Sequence, residues 1–272
     1  MNPSDEKSHP LYQKGNDRPA GPVEGESRAK RPRQPLRNQP LLTYSLMAIN
    51  GLIYLAGFLA PQLEWDLFLR GAMIPQLVVA EGEVYRLFTA MFLHGSLGHV
   101  LLNIYALTIV GRAVEPVFGR LRFSLIYLLG GLTGSAFSLA LGGLGSASVG
   151  ASGAVFAIFA AHAAHLYQNR RLYANARGQL SHMAFILGIN LVIGFLPGSR
   201  IDNWGHMGGM LGGALLAWRI GPRIALLADP NLNNRVVGAL DRNPLRLRLP
   251  DLALYIGALI AIVFLAVNLL AA

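Results

Sequence analysis

Four residues carry side chains from which chemistry can be built. Ser152 stands in Gly150-Ala151-Ser152-Gly153, His206 in Asn203-Trp204-Gly205-His206, and His99 and Asn103 lie four residues apart. A serine hydroxyl is a weak nucleophile until a neutral imidazole accepts its proton, and the same imidazole can then protonate a leaving amine. Paired, Ser152 and His206 would be a nucleophile and its base. On a helix, His99 and Asn103 share a face. From there they either donate to a developing oxyanion or tie neighbouring helices together. The amide of Ser152, at a helix start, offers an N–H with no partner inside its helix and is a further oxyanion donor. Asp202 precedes His206 by four residues and could share its face, but it falls in a connecting loop. A Ser-His dyad is therefore the reading, not a triad.

What must position these groups is a bundle in lipid. The 272 residues have a mean hydropathy of +0.42 and are 53% hydrophobic and 14% charged, where a soluble domain carries roughly a quarter charged residues. The charges crowd into the first 38 residues and into clusters between apolar runs, as expected when lipid is the solvent. The absence of cysteine excludes disulfides and thiolate chemistry. A net charge of +9 raises nucleic acid as a partner. The basic residues fall between apolar spans with no aromatic-basic groove motif, so membrane orientation explains them and no nucleic-acid partner is expected. Residues 1–38 are polar and rich in Pro, Gly and charge; they read as a disordered basic tail and not as a secretory signal.

A hydrocarbon core of about 30 Å takes about 20 mostly apolar residues as a helix. The sequence predicts seven spans: Leu41–Ala60, Leu87–Val110, Phe123–Leu141, Val149–Tyr167, His182–Leu196, Trp204–Ile220 and Leu252–Ala271. The second is interrupted by His94, Gly95, Ser96, Gly98 and His99, and the fifth is short, so both suit a bundle better than a lipid-facing surface. With the N-terminus in the cytoplasm, only Arg70, Arg86 and Arg200 of the 23 Lys and Arg face out, as the positive-inside rule demands. The second, fourth and sixth spans then run inward, with His99, Asn103, Ser152 and His206 near their outer ends at one shallow depth. The apolar outer connection from Pro61 to Arg86 is expected to dip into the membrane interface.

Small residues suggest which helices touch. The fourth span carries Gly153, Ala157 and Ala161 at four-residue steps, and the sixth carries Gly209, Gly213 and Ala217. Such stripes let helix backbones approach closely in a membrane. Ser152 precedes its stripe by one residue and His206 by three, an axial offset of only about 3 Å. Facing stripes would bring hydroxyl and imidazole within hydrogen-bond reach.

At these residues the sequence resembles the rhomboid family of intramembrane serine proteases, over roughly Leu41 to Ile220. His94-x4-His99-x3-Asn103 resembles the family's second helix, Gly150-Ala151-Ser152-Gly153 its GxSG nucleophile motif, and His206-x2-Gly209-x3-Gly213 its sixth-helix base motif. Glu115-x3-Gly119 resembles an ExxxG element, and Tyr85-Arg86 stands where the family usually has Trp-Arg. The resemblance implies a six-helix core with one added C-terminal span. It also implies a Ser152–His206 dyad, with His99, Asn103 and the Ser152 amide in the oxyanion hole, Gly150 beside them as an oxyanion or substrate-binding residue, Gly153 and Gly209 in support, and Phe156 packed against His206. Transmembrane proteins would be the substrates, and no metal or cofactor is implied.

Other polar residues take plainer readings. His94 either ties the outer connection to the bundle or serves as a donor. His162 and His165 have metal-like spacing but no third ligand nearby in sequence, and read as interfacial. His182 marks a cytoplasmic helix end. Glu115 is expected to bond backbone or Arg groups in the second-to-third connection. The expectation is thus an all-α polytopic bundle: a tail at 1–38, a six-helix core at 39–221, and a linker with a seventh helix at 222–272. It hydrolyses peptide bonds in or near transmembrane segments, from a bacterial plasma membrane. The rivals are a catalytically silent, client-binding protein of the same family and a transporter, the latter disfavoured because the polar cluster is shallow and no repeat is apparent.

Overall fold

The computed structural model describes residues 39–230, 233 and 235–272, so the reading of 1–38 as a disordered tail lies outside the described residues. The chain is a polytopic helical bundle. Four helices are long and apolar enough to cross a membrane: α1 (Leu41–Leu59), α5 (Leu97–Phe118), α6 (Arg120–Leu141) and the last helix with its preceding turn, Leu245–Ala271. The connection after α1 is built of short helices α2 (Pro61–Gly71), α3 (Pro75–Ala80) and α4 (Arg86–Thr89). Pro61 and Pro75 each open a helix, where a missing N–H costs nothing.

The second span differs from the sequence reading. The apolar run at 87–110 is not one helix: α4 and a 3-10 turn at Ala90–Phe92 end before Leu93 turns extended, and α5 starts only at Leu97. Ser96 caps that start by accepting from the backbone N–H of His99 at 3.2 Å. The helix then runs on past Arg112 and Glu115 to Phe118. Gly119, at φ 76°, permits a one-residue link to α6.

Glu115 does not serve the second-to-third connection. It is 1% exposed and accepts from the Leu42 and Thr43 N–H groups and from the Thr43 hydroxyl, capping the start of α1 from 72 residues away. A helix start in apolar surroundings needs such acceptors for its unpaired N–H groups.

Three further helices complete the core: α7 (Ser152–Gln168), α8 (Ala176–Gly194) and α9 (Asn203–Ile220). The α7 and α9 stripes meet. A Cβ at Gly209 would run into the Gly153 carbonyl, and one at Gly213 into Ala157. Helix α6 joins them: a Cβ on Gly134 would lie 2.6 Å from the Gly205 carbonyl oxygen, and one on Gly130 would strike Ala157. Since lipid tails are as apolar as leucine, this backbone approach, more than water exclusion, holds α6, α7 and α9 together. Below the glycines, Phe123, Ile126, Tyr127, Ile158, Leu216 and Ile220 are at most 1–2% exposed.

After α9 the chain forms an antiparallel hairpin of β1 (Ile224–Asp229) and β2 (Arg235–Asp241), which the sequence reading treated only as a basic linker. Asn243 ties its base to the Arg219 and Gly221 carbonyls. Helix α10 (Leu249–Ala271) then packs on α3 and α6 through Leu259 and Ala266, and Tyr255 meets the Thr133 hydroxyl at 2.5 Å.

Candidate active site

Ser152 is the first residue of α7 and is half-buried. The chain reaches it through the glycine-rich connection after α6, pinned at two points. Ser148 and Met73 exchange backbone hydrogen bonds at 2.9 and 3.0 Å, and the Gly150 N–H donates to the Ala90 carbonyl at 2.9 Å. Gly150 has φ 133°, a region L side chains rarely adopt, and a Cβ there would sit 2.7 Å from the His99 ring. Gly150 therefore contributes backbone shape and room for His99. Its own N–H, engaged by Ala90, is not free for an oxyanion.

His206 lies in the first turn of α9 and is 7% exposed. Its Nε2 is 2.8 Å from the Ser152 Oγ. Phe156, one turn into α7, stacks on the imidazole with centroids 4.1 Å apart and planes 12° from parallel. Gly209 and Gly153 form the close contact just below, so the stripes that draw α7 and α9 together also set the hydroxyl–imidazole distance. The His206 Nδ1 has no hydrogen-bond partner among the described residues. Asp202 does not reach it. Its carboxylate instead accepts from the Gly205 N–H at 2.8 Å and from the Ser148 hydroxyl at 2.6 Å.

His99 and Asn103 lie together on α5, with the His99 ring against Gly150 of the Ser152 loop. Asn103 is 6% exposed and donates one amide N–H to the His99 carbonyl at 3.0 Å, which leaves its second N–H available. His94 packs edge-on against His99, centroids 5.1 Å apart, and neither of its ring nitrogens has a partner among the described residues. It meets the α1–α5 connection by lining a cavity of about 320 Å³ with Trp65 and Phe68 of α2. The arrangement can activate a hydroxyl, stabilise negative charge beside it, and hand a proton to a leaving group.

A second, larger cleft of about 540 Å³ lies between α5, α7 and α8. Leu102, Tyr105, Phe159, Met183 and Ile186 line it, and it reaches Phe156, the ring stacked on His206. His182 lines it too, from the second turn of α8, which starts earlier than expected because Asn175 caps the Gly178 N–H at 3.3 Å. His162 also faces this cleft, whereas His165 is 1% exposed and bonded to Tyr173 and Asn169. His165 is thus an internal tie between α7 and the following loop, not an interfacial residue. Sequence spacing could not reveal this, since its partner Tyr173 lies beyond the helix end.

The sequence marks Arg86 as a motif position and as one of three outward-facing charges, and nothing in it shows that the side chain is buried. Arg86 is 3% exposed, pairs with Glu83 at 2.5 Å and donates to the Ala72 carbonyl at 2.9 Å. It thereby fixes the segment from which Met73 grips Ser148.

Residues 81–223, slightly more than half of the chain, match the family model of the Rhomboid domain. The chain is 36% identical over 185 residues to RHOMBOID-like protein 1 of Arabidopsis thaliana, covering 68% of this chain and 42% of that protein. It is 41% identical over 144 residues to Rhomboid protease GluP of Bacillus subtilis (53% and 27%), and 35% identical over 130 residues to Inactive RHOMBOID-like protein 8 of Arabidopsis thaliana (47% and 36%). The chain thus spans about half or less of the length of these curated relatives. The matched region runs from the end of α3 through α9 and takes in every residue of the serine–histidine site. A multi-pass integral membrane bundle of this build, matched over that region, belongs to the rhomboid family.

Proposed function

We propose that the chain is an intramembrane serine endopeptidase that cuts peptide bonds in or near transmembrane segments of other membrane proteins. The observation that carries the reading is the 2.8 Å contact of His206 Nε2 with Ser152 Oγ, inside a membrane bundle and under the Phe156 ring. In this reading Ser152 Oγ attacks the scissile carbonyl carbon while His206 takes its proton. The resulting oxyanion is met by the Ser152 N–H, the free amide N–H of Asn103 and the His99 ring. His206 then protonates the departing amine, and a water, activated by the same imidazole, hydrolyses the acyl-enzyme. The pair acts as a dyad, because Asp202 is engaged by Gly205 and Ser148.

The cleft between α5 and α8 gives a transmembrane segment a lateral approach to Phe156 and the dyad. A helical peptide hides its carbonyl carbons, so a substrate must unwind locally, and helix-breaking residues near the scissile bond favour this. We further propose a catalytic core at 39–221 with a linker and seventh helix at 222–272, oriented with the N-terminus in the cytoplasm and the dyad toward the outer side. The host membrane is proposed to be a bacterial plasma membrane, which cell fractionation tests.

The test is cleavage of a single-pass membrane substrate, with a helix-breaking segment near its outer end, by purified wild type, Ser152→Ala and His206→Ala. Cleavage by wild type alone supports the reading. Equal cleavage by Ser152→Ala overturns it, and binding without cleavage by all three moves the weight to the client-binding alternative.

A further inference from the structure

Asp202 occupies a junction that neither the dyad nor the oxyanion donors explain. It is the N-cap of α9, and one carboxylate oxygen accepts from the Gly205 N–H at 2.8 Å. The other accepts from the Ser148 hydroxyl at 2.6 Å, across 54 residues. Ser148 is four residues before the nucleophile and is itself bridged to Met73 of the α1–α5 connection in both directions. His206 is one turn after Asp202, and its own N–H donates to the Asp202 carbonyl at 3.0 Å. One side chain therefore fastens the start of the base's helix to the loop that delivers the nucleophile.

Side-chain capping of α9 alone needs only one of the two oxygens. The second bond has a different consequence. Without it, among the described residues, the hydrogen bonds that tie residues 143–150 to other elements run to Met73 and Ala90, and α9 meets the chain only from Ser152 and Gly153 onward. A carboxylate at a helix N-terminus is also electrostatically favoured there, which keeps it in place as an acceptor for Ser148.

We propose that Asp202 is a positioning residue that clasps the nucleophile loop to the base helix through Ser148. This deepens the peptidase reading and rests on it. The clasp sets the approach of Ser152 to His206 and not the affinity for substrate, so its loss lowers kcat and leaves KM in place. Asparagine can keep both contacts, accepting from Gly205 with its oxygen and meeting the Ser148 hydroxyl with its amide.

The experiment compares wild type, Ser152→Ala, Asp202→Ala, Asp202→Asn, Ser148→Ala and the Asp202→Ala/Ser148→Ala double variant, full-length in detergent. Cleavage of the single-pass substrate, labelling of Ser152 by a fluorophosphonate probe, and the unfolding midpoint are measured for each. Asp202→Ala is expected to lose about tenfold or more in kcat and in labelling rate, as for a lost hydrogen bond to a charged group. Asp202→Asn should stay within about threefold of wild type on the same basis. Ser148→Ala should lose several-fold, and the double variant should be no worse than Asp202→Ala, the non-additivity of two halves of one contact. Rates are read below each variant's unfolding midpoint, so loss of fold is not counted as loss of positioning.

Wild-type rates in Ser148→Ala, or additive losses in the double variant, would reduce Asp202 to a helix cap and overturn the clasp. A rise in KM at constant kcat would overturn it as well. Failure of the peptidase reading looks different: wild type neither cleaves nor labels, or Ser152→Ala cleaves, and the clasp then falls with it.

Discussion

Adding a single methyl group at Gly209 should separate the serine from the histidine without touching either. A Cβ there would meet the Gly153 carbonyl oxygen well inside contact distance and lie 2.8 Å from Gly153 C and 3.1 Å from its Cα. Carbon atoms rest about 3.5–4.0 Å apart, so α9 must retreat from α7 by roughly 1 Å. The Ser152–His206 contact of 2.8 Å lies one turn above this point and would open beyond hydrogen-bond reach. Overpacking of this kind costs about 1–3 kcal/mol of stability. A displacement of about 1 Å in a catalytic pair can cost on the order of a hundredfold in rate. Gly209→Ala is therefore expected to remain folded at moderate temperature, with its unfolding midpoint lowered and kcat reduced about a hundredfold. The comparison is Gly188→Ala on α8, where an added Cβ meets nothing within 4 Å. That variant should be as active as wild type and equally or slightly more stable. The assay is kcat on the single-pass substrate with unfolding midpoints for both variants. A Gly209→Ala enzyme with wild-type kcat would refute the argument that the glycine contact sets the dyad distance.

Other perturbations test the scaffold. Glu115→Ala removes three acceptor contacts at the start of α1 and leaves those N–H groups in apolar surroundings; a loss of about 2–3 kcal/mol is expected, read as a lowered denaturation midpoint. Tyr255→Phe deletes the bond between α10 and Thr133, and should lower stability by about 1 kcal/mol while leaving cleavage of the substrate intact below the unfolding midpoint. At Asp241, burial pushes the carboxyl pKa up, but the N–H groups of Asn243 and Arg223 and the Arg122 guanidinium outweigh it and hold the pKa below the usual range. A lowered folded-state pKa means the contribution is fully present above the unfolded value of about 4 and is lost as pH falls through the lower folded value. Limited proteolysis of the β1–β2 hairpin should therefore accelerate at acid pH in wild type. In Asp241→Asn it should be fast already at neutral pH.

Much of the architecture follows from local pattern. The α7 and α9 glycine and alanine stripes are periodic and lie beside the serine and histidine, so which faces meet is readable from spacing alone. The apolar length rule finds α1, α6 and α10 because each is a nearly continuous hydrophobic run. It fails at the second span because hydropathy does not register a chain break. The extended turn at Leu93 and the Ser96 cap fall in the His94–His99 interruption, which the span reading absorbs into one helix because the flanking residues are apolar enough to carry the average. It misses the hairpin because β1 and β2 are short, and the arginines around them fit a cytoplasmic linker equally well. The α6 contacts of Gly130 and Gly134 went unread although the two stand four residues apart, the same small-residue step that α7 and α9 carry. Long-range polar partners were the least legible. Glu115 reaches α1 across 72 residues and Asp202 reaches Ser148 across 54, and neither separation leaves a periodic trace.

The central claim is that Ser152 is a nucleophile activated by His206, and covalent labelling tests it most directly. A fluorophosphonate probe would be incubated with wild type, Ser152→Ala and His206→Ala in detergent, and the modified peptide located by mass spectrometry. One adduct is expected, on Ser152, in wild type, with none in Ser152→Ala and with labelling of His206→Ala slowed by at least about a hundredfold. Equal labelling of wild type and His206→Ala, or an adduct on a serine other than Ser152, would contradict it.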